Sequence, residues 1–386
     1  MAAIPLEGVS RQASTCSVAS IQLRNFRSYG DLVLRDLPEK FVVLTGDNGA
    51  GKTNLLEAVS LLSPGKGLRG SELADLQNSS IIMPPWTIAA HVNTLYGCIP
   101  LGTGKDPAKE RRLVRIKGEP AKSQTALSDY LSCLWLTPQM DRLFLDAASG
   151  RRRFLDRMIF AFDPAHAGRV TRYENAVSQR SRLLKEGRAD PAWLTGLETQ
   201  MAETGIAIAA ARVDFVQRLQ AACHRRGGLD FPVADIKLAG YLEDRLHSRA
   251  ALDVEEEFLR ALQNNRSQDA LTGGASIGAH RTDLLVRFHA KDMPAFQCST
   301  GEQKALLIGL VLSHAELLQA EKGTSTLLLL DEVAAHLDEG RRAALFDTLA
   351  RVGGQCWVTG TDAALFSAIK NYGAFFHVEN GLVRPA

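Results

Sequence analysis

Eight consecutive residues, Gly46-Asp47-Asn48-Gly49-Ala50-Gly51-Lys52-Thr53, fit the pattern G-x-x-x-x-G-K-[ST]. The glycines let the backbone turn so that its N–H groups converge, and the helix beginning near Lys52 adds its positive end. The Lys52 ammonium then neutralises the outer charge, so the segment reads as a cradle for the phosphates of a nucleotide. The Thr53 hydroxyl is the expected magnesium ligand beside it. Far downstream, Leu327-Leu328-Leu329-Leu330-Asp331-Glu332 spells an apolar strand delivering two carboxylates at its carboxyl end. Asp331 is expected to hold magnesium through water. Glu332, one residue beyond, is placed to orient or deprotonate an attacking water.

Between these two segments lies Ser299-Thr300-Gly301-Glu302-Gln303-Lys304, at the start of an apolar helix. It resembles the signature sequence of ABC-type ATPases. Ser299, the amide of Gly301 and the helix amino terminus together make a second phosphate-binding surface, which in ABC proteins comes from another subunit. The same letters also spell an ordinary serine-capped helix. Gln139, in Leu136-Thr137-Pro138-Gln139, stands where ABC proteins carry a glutamine that senses the γ-phosphate and magnesium, though it equally suits loop surface. In Val358-Thr359-Gly360-Thr361-Asp362 the histidine that many ABC proteins place after this strand is missing. Thr359 or Thr361 takes that place, or both simply end the strand and cap the next helix.

These residues need a scaffold of strands that end at glycine or acid and helices that begin there. Ile21 to Phe26 and Asp31 to Leu34 alternate like strands, Phe41 to Thr45 is a short apolar strand feeding the phosphate loop, and Thr53 to Leu62 has helical spacing. Residues Ile81 to Leu136 read as further short strands. From about Gly150 to Leu262 long Arg-, Leu- and Ala-rich helices take over, broken near Asp190-Pro191 and at Gly227-Gly228. Strands return at Leu284 to Phe288, Thr326 to Leu330 and Cys356 to Thr359. The expectation is an α/β chain: a flexible amino-terminal extension (1–19), an ABC-type ATPase head (20–150 and 270–386) combining a parallel sheet with an antiparallel β subdomain, and a helical arm (151–269).

The bulk composition agrees with two folded lobes: 386 residues, 45% hydrophobic and 23% charged. A formal net charge of +2 is too small to indicate a nucleic-acid partner, because such surfaces depend on where charge lies. One basic run stands out: Lys105, Lys109, Arg111, Arg112, Arg115, Lys117 and Lys122 either track DNA phosphates or form a solvated strand edge. Six scattered cysteines without a C-x-x-C pair suit a reduced cytoplasm, and no apolar run is long enough to span a membrane.

Several segments carry a closer resemblance. Leu23-Arg24-Asn25-Phe26-Arg27-Ser28-Tyr29, the GKTN of Gly51 to Asn54, Gly67-Leu68-Arg69, Arg151-Arg152-Arg153-Phe154-Leu155-Asp156 and Gly278-Ala279-His280-Arg281-Thr282-Asp283-Leu284 look like the RecF family. With the signature and the Asp-Glu strand they cover nearly the whole chain after Ser20. Ala279, Thr282 and Glu332 depart from that family's usual Pro, Asp and Asp. The resemblance implies a cytoplasmic, weakly DNA-stimulated ATPase that binds ATP and Mg2+, dimerises on ATP and binds gapped or junction DNA. It further implies partnership with RecR and RecO, and indirectly RecA, and no membrane. A transporter-type ABC ATPase subunit is the alternative, disfavoured by the Asn-Phe-Arg-Ser-Tyr opening and the missing histidine. SMC-like or zinc-hook ATPases would show sustained heptads or C-x-x-C.

Overall fold

The computed structural model describes residues 16–80, 83–187, 190–228, 230–323, 325–352 and 354–386. Its centre is a six-stranded sheet in the order β15-β14-β3-β13-β12-β8, formed by β3 (Phe41–Thr45), β8 (Cys133–Leu136), β12 (Leu327–Leu330), β13 (Cys356–Gly360), β14 (Gly373–Glu379) and β15 (Leu382–Pro385). All but the edge strand β15 run parallel. The run Leu327 to Leu330 is apolar throughout because both faces of this sheet are covered. Leu327 and Leu329 enter the core shared with α1 (Lys52–Ser60), whereas Leu328 and Leu330 enter the opposite core. The period of two along the strand thus assigns each leucine its side.

The first core is closed by an antiparallel sheet, β2-β1-β4-β5-β6-β7, made of β1 (Ser17–Phe26), β2 (Tyr29–Leu34), β4 (Thr87–Thr94), β5 (Gly97–Lys105), β6 (Arg112–Ile116) and β7 (Glu119–Pro120). Here the fold begins earlier than expected. Residues Cys16 to Ala19 belong to it, not to a loose extension: Val18 pairs with Val92 of β4, and Gln355 bonds both the N–H and the carbonyl of Val18 at 2.9 Å. The Cys16 N–H adds a bond to Ser325 Oγ at 3.1 Å. Backbone pairing captures this stretch, which carries no apolar alternation to announce it. The remainder of the expected extension, residues 1–15, lies outside the described residues.

The opposite core takes in α2 (Ala148–Phe160), α4 (Pro191–Arg226), α8 (Thr300–Lys322) and α9 (Glu339–Val352). A third cluster lies among α3 (Ala165–Glu186), α4, α5 (Tyr241–Leu246) and α6 (Ala251–Asn264), with α7 (Arg266–Thr272) packed on α3. The middle of the chain is not wholly helical. A strand, β9 (Ala234–Ala239), pairs with β10 (Asp283–Phe288), which also pairs with β11 (Met293–Pro294). This small sheet ties the helical region to the segment leading into Ser299. None of the six cysteines is disulfide-bonded, and among the described residues no helix is long and apolar enough to cross a membrane.

Candidate functional site

The phosphate loop leaves β3 at the carboxyl end of the parallel strands, where ligands of open α/β sheets bind. Two of its glycines are compelled. Gly46 has φ 142°, and a Cβ there would lie 2.1 Å from the Val378 carbonyl oxygen; at Gly51, φ 116°, it would meet Ser28 Oγ at 2.8 Å. Tyr29, fully buried, donates its hydroxyl to the Gly51 carbonyl at 2.9 Å, and Asn54 donates to Ser28 Oγ at 2.9 Å. Behind them Arg27 grips the buried Glu57 with two bonds of 2.8 and 2.9 Å, and Arg69 adds a third at 3.2 Å while also holding Asn54. The three amino-terminal segments singled out in the sequence therefore meet on one side of α1 and brace the loop.

Within the loop, Lys52 is buried and donates to the carbonyls of Gly46 and Asp47 at 2.6 and 2.9 Å. Burial lowers its pKa, partly offset by the field of Glu332, Asp331 and Asp47. Asp331 is also buried: its carboxylate accepts from Thr53 Oγ1 at 2.9 and 3.1 Å and from Thr359 Oγ1 at 2.7 Å. Thr359 accepts in turn from the Glu332 N–H at 2.9 Å. Of the two threonines in that segment, Thr359 thus touches the acidic pair, whereas Thr361 is exposed. Glu332 has left-handed backbone geometry, φ 54° and ψ 22°, uncommon for a residue with a Cβ. No described side chain hydrogen-bonds its half-buried carboxylate.

Thr53 and Asp331 present oxygen atoms alone, the donor set that suits a hard divalent cation such as magnesium. Gln139 is exposed three residues past Leu136, whose carbonyl accepts the Asp331 N–H at 2.9 Å, so it stands at the same end of the sheet. Asp47, Asn48 and Gly49 are exposed on the loop and Ala50 is buried under it, its carbonyl accepting the Gly381 N–H at 3.3 Å.

Ser299 and Gly301 are not part of this cluster. They lie exposed at the start of α8, a helix ~34 Å long. Ser299 caps α8 reciprocally with Glu302, its N–H and its hydroxyl each donating to Glu302 Oε2 at 2.9 Å. Lys291 pairs with the other oxygen of Glu302, and these contacts bring its carboxyl down to about 2. Nothing crowds Gly301. One link runs from this helix to the glutamine segment: Lys304 reaches Asp141 at 3.4 Å.

Other expectations resolve differently. Arg112 is buried, bonding Thr103 and Gly65 at 2.7 Å and also the Leu61 carbonyl, and burial lowers it to about 10. It is therefore withdrawn from the basic run as a phosphate contact. Lys105 and Arg111 are paired with Glu110 and Asp106, leaving Lys109, Arg115, Lys117 and Lys122 for solvent. Arg151 forks onto Asp283 at 2.7 and 2.9 Å and Arg152 donates to the Thr282 carbonyl at 2.8 Å, so two family-like segments lock together. Asp156 forks with Arg212 at 2.9 and 2.8 Å and meets His166 at 2.9 Å. Burial alone would raise its carboxyl, but Arg212 and His166 more than compensate and hold it far below the usual range. Nothing in the sequence paired Asp156 with Arg212, because the two lie on different helices.

A phosphate loop, an Asp-Glu strand beside it and a signature-type helix in this topology define an ABC-type ATPase head of the SMC class. The family model described as RecF/RecN/SMC N terminal domain matches residues 17–384. The chain is 50% identical over 368 residues to "DNA replication and repair protein RecF" of Agrobacterium fabrum, covering 95% of this chain and 97% of the relative. It is 48% identical to the protein of the same name from Brucella suis, covering 97% of each. The fold is shared with a structure of "the recombination mediator protein RecF-ATP in RecFOR pathway" at TM-score 0.84 and 22% identity, covering 98% of this chain and 100% of that one. It is shared more loosely with an SMC head domain from Pyrococcus furiosus at TM-score 0.53. The chain belongs to the RecF family of DNA replication and repair proteins. Membership over this length removes the reason for a transporter-type reading.

Proposed function

We propose that the chain is an ATP-dependent DNA-binding protein of recombinational repair that works as a dimer in the cytoplasm. The observation that carries this reading is the separation of two half-sites: Lys52, Thr53, Asp331 and Glu332 converge on one loop, while Ser299 and Gly301 stand exposed on a different element. A second copy supplies the missing half. On nucleotide binding, Lys52 exchanges the Gly46 and Asp47 carbonyls for the outer phosphates, and the amides of Gly49 to Thr53 cradle the rest. Thr53 and Asp331 hold Mg2+, which neutralises phosphate charge, with Gln139 reporting on the γ-phosphate from the neighbouring strand end. Ser299 and Gly301 of the partner copy close over that phosphate.

Glu332 orients and deprotonates the attacking water, and hydrolysis, slow and stimulated by DNA, reopens the dimer. In the closed form the pair grips gapped or junction DNA and, with RecR and RecO, promotes loading of RecA. Residues 16–150 and 270–386 serve as the head in this reading, and 151–269 as an arm or lid. Analytical sedimentation with Mg2+ and ATP, with and without a gapped duplex, tests it against the Ser299→Arg variant. The expected result is an ATP-dependent dimer that carries the DNA and is lost in the variant; a chain that stays monomeric and ignores DNA refutes the reading.

A further inference from the structure

Away from the nucleotide site, His224, Asp235 and His289 bring their donor atoms within 4.8 Å of one another. His224 lies in the last turn of α4, Asp235 near the start of β9, and His289 directly after β10, so three elements distant in sequence converge. His224 Nε2 is 2.8 Å from Asp235 Oδ1, and His289 Nδ1 is 2.8 Å from Oδ2. The two imidazoles stand edge to face, their centroids 4.9 Å apart. The group is also braced. Gln220 donates to Asp235 Oδ1 at 3.1 Å while accepting the Ile236 N–H at 2.6 Å, and the His289 N–H is tied to the Val233 carbonyl at 3.0 Å. All three side chains remain about half exposed, which leaves a path for an ion and for water.

We propose that His224, Asp235 and His289 form a binding site for a borderline divalent transition metal, zinc being the best match, with solvent completing the coordination. Two imidazoles and a carboxylate select this class over magnesium and calcium, whose partners are oxygens. Zinc bonds of ~2.0–2.2 Å put neighbouring donor atoms of a tetrahedral site roughly 3.3–3.6 Å apart. The observed separations, 2.8 Å for each histidine–carboxylate pair and up to 4.8 Å across the group, bracket that value, so small ring rotations suffice. On binding, His224 Nε2 and His289 Nδ1 turn from the carboxylate to the metal as neutral imidazoles, each carrying its proton on the other ring nitrogen, and Gln220 becomes the outer partner that orients Asp235. The site shares no residue with the phosphate loop. It would, however, pin the turn His289–Lys291, whose Lys291 pairs with the Glu302 that caps the Ser299 helix.

The test uses the full chain without a polyhistidine tag, stripped by chelator, with Cys98→Ser as background because that thiol is exposed. Zinc is titrated calorimetrically, and cobalt is used as the spectroscopic probe. One equivalent of zinc is expected, with a cobalt d–d spectrum free of thiolate charge transfer. Binding is expected to be lost in His224→Ala and in His289→Ala, and to weaken about tenfold in Gln220→Ala. Because the ligands are half exposed, the metal-free variants should melt like the parent, which separates loss of a ligand from loss of the fold. A parent chain that takes up no zinc, or a double His224→Ala/His289→Ala variant that binds it equally well, overturns the proposal.

Discussion

Thr359 offers the sharpest test of how the acidic pair is held. Its buried hydroxyl donates to Asp331 at 2.7 Å and accepts the Glu332 N–H at 2.9 Å. Thr359→Val nearly keeps the volume and the β-branching but deletes both bonds. A hydrogen bond to an ionised carboxylate contributes about 1.5–3 kcal/mol, and an N–H left without a partner costs about 1–3 kcal/mol. Asp331 keeps its bond to Thr53, so the lower part of each range applies and the loss should come to about 2.5–4 kcal/mol. Denaturant unfolding at neutral pH reads this directly, and steady-state ATP turnover should fall with it, because the Glu332 backbone loses the bond that helps maintain its left-handed geometry. Thr359→Ser restores both contacts and should recover to within about 1 kcal/mol, while Thr361→Val, at an exposed site, should move stability by no more than about 0.5 kcal/mol. If Thr359→Val unfolds at the same denaturant concentration as the parent, the hydroxyl does not hold the pair and the reasoning fails.

Glu332→Gln should keep ATP binding while abolishing turnover, so that sedimentation finds a persistent ATP-bound dimer; wild-type turnover would remove Glu332 from the role of base. Asp156→Ala leaves the Arg212 guanidinium buried without its carboxylate and should cost about 3–5 kcal/mol at neutral pH. Since pairing depresses the Asp156 carboxyl, that contribution is present above the ordinary aspartate value of about 3.9 and fades as pH falls below it; a deficit in unfolding free energy that persists undiminished at pH 3 would contradict the pairing. His280 and His314 are both lowered to about 4, chiefly by burial. Between pH ~6.5 and about 4 the unfolded chain therefore binds protons that the folded chain does not, and stability should drop as pH falls through that window. His314→Gln should flatten the drop, and an unchanged pH slope in that variant would show that the buried histidine is not its source.

Much of the fold and of the candidate site is legible in the sequence because its signals are local. The phosphate loop is contiguous, and Leu327 to Leu330 declares a strand covered on both faces. The breaks at Asp190-Pro191 and Gly227-Gly228 fall where α4 begins and ends. What stays hidden depends on partners distant in the chain. β9 lies within a helical stretch and is a strand because β10 pairs with it across the intervening α5, α6 and α7. Ser17 and Val18 join the sheet through backbone bonds and Gln355, with no apolar pattern of their own. Arg112 reads as one more cation in a basic run, yet its side chain turns inward to carbonyls of the turn after α1.

The residues that set this chain apart from a generic phosphate-loop protein mostly act one layer behind the nucleotide site. Arg27 and Arg69 neutralise a Glu57 that is completely buried in α1, a carboxylate too costly to keep there unpaired. That pairing fixes the face of α1 from which Asn54 reaches Ser28, and Tyr29 next in the chain clamps the Gly51 carbonyl. The glycine loop, whose backbone freedom the phosphates require, is thereby clamped through the Gly51 carbonyl, a contact that takes up none of its amides. Replacing Arg27 would thus disturb the loop without removing any group that faces the phosphates. Arg151 and Asp283 act in the same way, joining α2 to β10 and so setting the base of the segment that ends at Ser299. In this family-like pattern, short motifs scattered along the chain are pairs that meet in space, one bracing the phosphate loop and the other the segment that leads to Ser299.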